Sequence, residues 1–163
     1  MEQFQVARDN AVRKLNIADH MLTMTYPLVQ DPKLLLAVLK NIFSAMENAM
    51  SSVLHYERLF KRIPQFQESF ESKLTLFKSR VQPKYSINGE YIKILYELRE
   101  IIVEHKHSPV EFARKDKFVI CSDNYKMKTI SVPEIKNYIA KAKTFIQATN
   151  FIISKNEGIF RSS

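Results

Sequence analysis

The chain has 163 residues, of which 45% are hydrophobic, and 25 Lys and Arg against 17 Asp and Glu give it a net charge of +8. A chain of this length buries ~70% of the surface that its unfolded form exposes, so it needs no disulfide framework or structural metal to fold. No segment approaches the ~20 apolar residues of a membrane span, and the N-terminus lacks the pattern of a signal peptide. We expect one cytoplasmic domain over residues 1–163 that does not bind membranes, and the single cysteine fits a reducing compartment.

Long segments without helix breakers predict helices, because there are only two glycines and the six prolines are widely spaced. The first predicted helix covers residues 3–25, and we expect Tyr26 and Pro27 to end it. The second begins after Asp31, a good N-cap, and runs to about Arg62. It carries the strongest pattern in the chain, alternating steps of four and three at Leu35, Leu39, Ile42, Met46, Ala49, Val53, Tyr56 and Phe60.

Shorter helices are predicted over residues 65–80 and 88–106, with a loop at 81–88 around Pro83. Two S-x-x-E patterns, beginning at Ser108 and Ser131, indicate a further short helix and the start of the C-terminal helix. Since the first, second and last helices carry matching apolar seams, an antiparallel bundle of four to five helices explains them better than a coiled coil between chains.

The pattern changes at residues 117–130, where β-branched and aromatic residues flank Asp123-Asn124. We predict a mainly α fold with one β-hairpin there, inserted before the C-terminal helix. Residues 108–163 contain ten Lys and Arg against five Asp and Glu, so much of the excess positive charge lies in and after this hairpin. The candidate nucleic-acid-binding residues are Arg114, Lys115, Lys117, Tyr125, Lys126 and Lys128. Alternatively, the lysines keep exposed sheet edges from pairing with other chains.

Several kinds of active site are excluded by composition. Two isolated glycines cannot form a phosphate-binding loop or a dinucleotide fingerprint, and one cysteine cannot form a cysteine zinc site. A di-iron bundle site needs two E-x-x-H units, and only Glu104 and His107 have that spacing. We therefore expect no metal and no cofactor.

Arg99 and His105, on the predicted helix 88–106, are the candidate catalytic residues. Six positions along a regular helix turn the chain by a net ~240°, so the two side chains would flank a groove and not form one tight pair. A helical bundle of this size, with an N-terminal helix pair and an Arg-x5-His motif on a late helix, resembles the HEPN superfamily of small all-α proteins. The resemblance covers residues 1–107 and the final helix, with the basic hairpin as an addition.

The resemblance implies a homodimer that binds RNA, as a metal-independent endoribonuclease or a toxin–antitoxin component. His105 would then act as general acid or base on a ribose 2′-hydroxyl, and Arg99 would stabilise charge on the phosphate. Glu100 departs from the pattern, because active members usually carry a neutral polar residue after the arginine.

In the alternative interpretation Arg99 pairs with a glutamate of its own helix, such as Glu100, and His105 caps the helix C-terminus. The protein would then be a non-catalytic helical binding module. It would dock through its basic hairpin on a ribonucleoprotein, a nucleotidyltransferase-type subunit or another protein.

Overall fold

A computed structural model describes the backbone of residues 1–107, 111–113, 117–121 and 127–161, and the side chains of residues 1–104 and 129–155. The helices are α1 (Gln3–His20), α2 (Tyr26–Val29), α3 (Pro32–Leu59), α4 (Phe70–Leu76), α5 (Gln82–Tyr85), α6 (Glu90–His107) and α7 (Val132–Arg161). Three strands, β1 (Glu111–Ala113), β2 (Lys117–Cys121) and β3 (Met127–Ser131), lie between α6 and α7. The prediction of a mainly α fold is confirmed.

Helix α3 is the central element, and α1, α6 and α7 pack against it. The carboxylate of Asp31 accepts the Lys33 N–H at 2.9 Å, so the predicted N-cap is present. Every residue of the predicted seam from Leu35 to Tyr56 is fully buried, whereas Phe60 is 40% exposed because α3 ends at Leu59. One hydrophobic cluster built around this seam extends from the first helix to the last.

The prediction that Tyr26 and Pro27 end the first helix is wrong. α1 passes through a π-helical turn, Met21–Thr25, directly into α2, whose second residue is Pro27. The Tyr26 N–H donates to the carbonyl five residues earlier in this turn. Proline lacks an N–H and its ring clashes with the carbonyl four residues back in a regular α-helix, and a wider π turn relieves both conflicts. The helical segment therefore continues to Val29.

The same arrangement recurs at Pro83, so the predicted loop at 81–88 is wrong over its first half. A second π turn, Phe77–Val81, leads into α5, and Pro83 is again the second residue. Both helical segments then end on a residue in the left-handed conformation, Gln30 with φ 53° and Ser86 with φ 52°. In both cases a residue other than glycine takes the left-handed position.

Side-chain caps decide where the helices around the candidate site begin. The Ser69 hydroxyl accepts the Ser72 N–H, so α4 starts at Phe70 and not near residue 65. Asn88 accepts the Glu90 N–H at 2.9 Å and starts α6 close to its predicted position. Both caps satisfy N–H groups that the first helical turn leaves without a partner.

The prediction of a short helix after Ser108 is wrong at residues 111–113, which form β1. This strand pairs antiparallel with β2, with Phe112 opposite Val119. Pairing supplies backbone partners that a single helical turn lacks, so it overrides the local capping pattern. β2 in turn pairs antiparallel with β3, where Ile130 is buried against the helical core. Residues 122–126, which include the predicted turn, lie outside the described residues.

Candidate functional site

Arg99 lies beside an open groove of about 450 Å³ between α4 and α6. The groove has apolar walls formed by Phe70 and Leu74 of α4 and by Tyr96 and Val103 of α6. The α6 residues that line the groove are Tyr96, Arg99, Glu100, Val103 and Glu104. Their helical spacing places them on one face of α6.

Two contacts fix the Arg99 guanidinium. It forms an ion pair with the Glu71 carboxylate of α4, and its central carbon lies 4.7 Å from the centroid of the Phe70 ring. The expectation that Arg99 pairs with a glutamate of its own helix is therefore wrong, since the partner comes from α4. The Arg99 side chain remains 35% exposed, so solvent reaches a guanidinium whose charge is already balanced.

His105 follows Arg99 on the same continuous helix, and its side chain lies outside the described residues. In a regular α-helix, residue 105 sits ~9 Å further along the axis and ~120° around it from residue 99. Arg99 and His105 thus share a helix but occupy different faces of it.

The groove is acidic overall. Among the residues whose side chains the structure describes, Glu71, Glu100 and Glu104 line it together with one cation, Arg99. A phosphodiester entering the groove would meet three carboxylates and a guanidinium that is already paired, and this is unfavourable for an anion. The charge of the groove suits a cationic or apolar ligand better than a nucleic acid.

Two of the predicted nucleic-acid-binding residues lie in strands that the structure describes. Lys117 of β2 pairs with Ser131, and Lys128 of β3 pairs with Ile120. Because successive residues of a strand alternate between faces, positions 117 and 128 lie on opposite faces of the strand pair. Four further candidates lie outside the described residues: Arg114, Lys115, Tyr125 and Lys126.

Sequence reasoning missed two buried charges, and the first is Glu57. Its side chain is 2% exposed and accepts hydrogen bonds from the Tyr85 hydroxyl and from Lys84 Nζ at 3.2 Å. Arg62 Nη1 lies 3.7 Å from the same carboxylate oxygen that Lys84 contacts. The sequence pattern did indicate that residue 57 is buried, because Glu57 follows Val53 of the apolar seam by one helical turn.

The second buried charge is Lys73, which stands among the apolar residues of α4. Its Nζ lies 3.0 Å from the Glu47 carboxylate and 3.1 Å from the Ser51 hydroxyl of α3. Glu68 is 3.7 Å away and also contacts His55 at 3.2 Å. Burial lowers the pKa of His55, and the nearby Glu68 carboxylate opposes this shift. The cluster ties α4 and the chain before it to α3, which is a structural role.

A third polar contact joins α6 to α7. The Tyr138 hydroxyl donates to the Glu97 carboxylate at 3.1 Å. Burial, reinforced by this carboxylate, raises the pKa of Tyr138 to about 12, so the phenol stays protonated as a donor.

The described residues contain no group of three His, Cys, Asp or Glu side chains that could hold a metal ion. None of the helices, as far as the structure describes them, is both long and apolar enough to traverse a bilayer. Comparisons of the chain with protein-family models, curated proteins and solved structures found no match. The function is therefore inferred from the residues of this chain.

Proposed function

We propose that the protein is a non-catalytic helical binding module that docks on a ribonucleoprotein or protein partner through its basic segment, residues 108–131. In this proposal the fold is an antiparallel helical bundle with a β-hairpin inserted before the last helix. One observation carries the proposal: Arg99 is already paired with Glu71 and packed on Phe70, in a groove that also contains Glu100 and Glu104.

This observation matters because catalysis needs interactions that strengthen in the transition state. A guanidinium that must leave a carboxylate before it contacts a phosphate gives up much of that gain. The groove next to Arg99 also repels the anion that a ribonuclease must bind.

The charge distribution supports a docking role for the basic segment. Residues 86–107 contain four glutamates against three Lys and Arg, whereas residues 108–131 contain five Lys and Arg against three Asp and Glu. An excess of positive charge in this part of the chain attracts phosphate-bearing or acidic partners.

The test is incubation of purified protein with a mixed RNA pool in EDTA, followed by measurement of both RNA length and RNA binding. We expect intact RNA, with binding that survives Arg99→Ala combined with His105→Ala. Binding should weaken when Lys126→Glu is combined with Lys128→Glu. An unchanged RNA affinity in this reversed-charge variant would contradict the proposed docking surface.

Salt dependence distinguishes a nucleic-acid partner from a protein partner. For single-stranded RNA, log affinity falls against log salt with a slope of about −0.7 for each phosphate contacted. A protein docked mainly through apolar contacts shows a much shallower slope.

The second candidate function is an RNA-binding HEPN-like homodimer that acts as a metal-independent endoribonuclease. The observation in its favour is that Arg99 is held rigidly at a solvent-open groove, which would pre-position it for a phosphate. Light scattering would then show a dimer, and RNA would be cut in EDTA by the wild type but not by His105→Ala. In that case Glu71→Gln should speed cleavage, because it removes the carboxylate that competes for Arg99. Cleavage with this pattern would overturn the non-catalytic proposal.

A further inference from the structure

A second surface, at the C-terminal end of α3, combines positive charge with an exposed aromatic ring and shares no residue with the lining of the Arg99 groove. We define this α3-end surface as Arg58, Phe60, Lys61, Arg62 and Lys84. Four of its five residues are cations, and Phe60 is exposed together with its neighbour Leu59.

The backbone at this end is a Schellman turn, which presents consecutive side chains to solvent. The Arg62 N–H donates to the carbonyl of Glu57 at 3.0 Å, and the Lys61 N–H donates to the carbonyl of Arg58 at 2.9 Å. Lys61 adopts a left-handed conformation with φ 56°, at the position where glycine is the preferred residue. A lysine there lowers stability relative to glycine, and it adds a charge to the surface.

Buried Glu57 organises two of the cations. Arg62 and Lys84 both contact its Oε2 atom, which holds them next to each other. Arg58 and Lys61 form no ion pair with any residue whose side chain the structure describes. The surface therefore combines two cations that contact a carboxylate hidden from solvent with two cations that do not contact it.

Neighbouring side chains hold the Phe60 ring. Its centroid lies 5.0 Å from that of Tyr56, which in turn lies 5.1 Å from that of Phe4. The Arg62 guanidinium carbon lies 5.0 Å from the Phe60 ring centroid. The ring is still 40% exposed, and an exposed aromatic ring beside a guanidinium group offers a stacking position for a planar ligand.

We propose that the α3-end surface binds single-stranded nucleic acid, with Phe60 stacking on an unpaired base and the cations contacting successive phosphates. A single strand is required because bases in a duplex do not expose their faces. An anionic bilayer fits less well, since an interfacial helix presents a broad apolar face and this surface exposes only Leu59 and Phe60. The inference goes beyond the proposed function, because it needs no contribution from residues 108–131.

The test is fluorescence anisotropy of the full chain with a labelled twelve-residue oligouridylate. Phe60→Leu keeps an apolar contact with Tyr56 but removes the stacking face, and we expect binding to weaken on the order of 5- to 100-fold. Phe151→Leu is the matched control, because Phe151 of α7 is 65% exposed and belongs neither to the α3-end surface nor to the lining of the Arg99 groove. This control should bind like the wild type.

Lys61→Gly separates binding from stability. Glycine suits the left-handed position, so this variant should unfold at a higher temperature than the wild type and yet bind more weakly. Loss of one phosphate contact should also make the salt slope shallower by about 0.7. Lys40→Gln is the control, because Lys40 is exposed near the other end of α3 and should leave the slope unchanged.

The outcomes distinguish this inference from the proposed function. If Phe60→Leu and Lys61→Gly bind the oligonucleotide normally while the Lys126 and Lys128 charge reversals weaken binding, the α3-end surface is refuted and the proposed docking segment stands. If instead Phe60→Leu and Lys61→Gly weaken binding while the Lys126 and Lys128 charge reversals leave it unchanged, the α3-end surface is supported and RNA docking through residues 108–131 is contradicted. Binding to phosphatidylserine vesicles through Phe60, without oligonucleotide binding, also overturns the inference.

Discussion

Removal of Glu47, the ion-pair partner of Lys73, should destabilise the protein more than removal of Lys73 itself. Lys73 is 7% exposed at its side chain, and Glu47→Ala would leave its ammonium with the Ser51 hydroxyl and the longer contact to the exposed Glu68 carboxylate at 3.7 Å. Breaking a fully buried ion pair from one side costs about 3–5 kcal/mol. Because Glu47 is 27% and Glu68 67% exposed, water screens part of this interaction, and we expect a cost of about 2 kcal/mol.

Lys73→Met should cost about 1 kcal/mol or less, because a methionine fills similar space and Glu47 can turn toward water. For a chain of this size each kcal/mol shifts Tm by about 2–4 °C, so Glu47→Ala should lower Tm by about 4–8 °C. The double variant should resemble Lys73→Met, since no buried ammonium is left unpaired. Urea and thermal unfolding followed by circular dichroism measure all three.

The control is Lys141→Ala, which breaks an ion pair with Glu90 at 3.1 Å between two well-exposed side chains. Such a pair contributes about 0–1 kcal/mol. If Lys73→Met destabilised the protein as much as Glu47→Ala, or if the two effects simply added, an unpaired ammonium would not be the cause and the reasoning would be refuted.

Three further predictions concern the core and the titrating groups. Phe77→Ala should cost about 3–5 kcal/mol in urea unfolding, because Phe77 is fully buried and its ring centroid lies 6.0 Å from that of Phe145; a smaller loss would mean that the core refills the space. Burial lowers the pKa of His55 below 6.5, so the unfolded chain binds this proton first and stability falls as the pH drops below 6.5. The free energy of unfolding in urea should therefore change less between pH 7 and pH 5 for His55→Gln than for the wild type. An equal change in both proteins would exclude His55 as the cause. The unfolded chain loses the Tyr138 proton near pH 10 and the folded chain near pH 12, so stability falls as the pH rises between these values. Tyr138→Phe should reduce that fall and remove one tyrosinate absorbance that appears above pH 10.

Local patterns in the sequence determined the helices and several of their ends. The apolar period of α3 from Leu35 to Tyr56 and the cap at Asp31 were both readable, because periodicity and capping involve residues within a few positions of one another. The capping pattern at Ser131 likewise marks the start of α7, where its hydroxyl accepts the Glu134 N–H at 3.3 Å.

The tertiary structure decided what depends on distant residues. β1 forms because β2 is available to pair with it, against the local helical signal at Ser108. The helix persists through Pro27 because packing supports a π turn that no local propensity favours. Buried Glu57 is stable only because Lys84 and its neighbours come from elsewhere in the chain.

In the candidate site, too, some features follow from the sequence and others depend on tertiary packing. The sequence was sufficient to predict that Arg99 and His105 lie on different faces of one helix, because this follows from helical geometry. It could not indicate that Glu71 of α4 neutralises Arg99, since that ion pair depends on how two separate helices pack. The chemistry open to Arg99 is therefore decided by packing, and its position on the helix by the sequence alone.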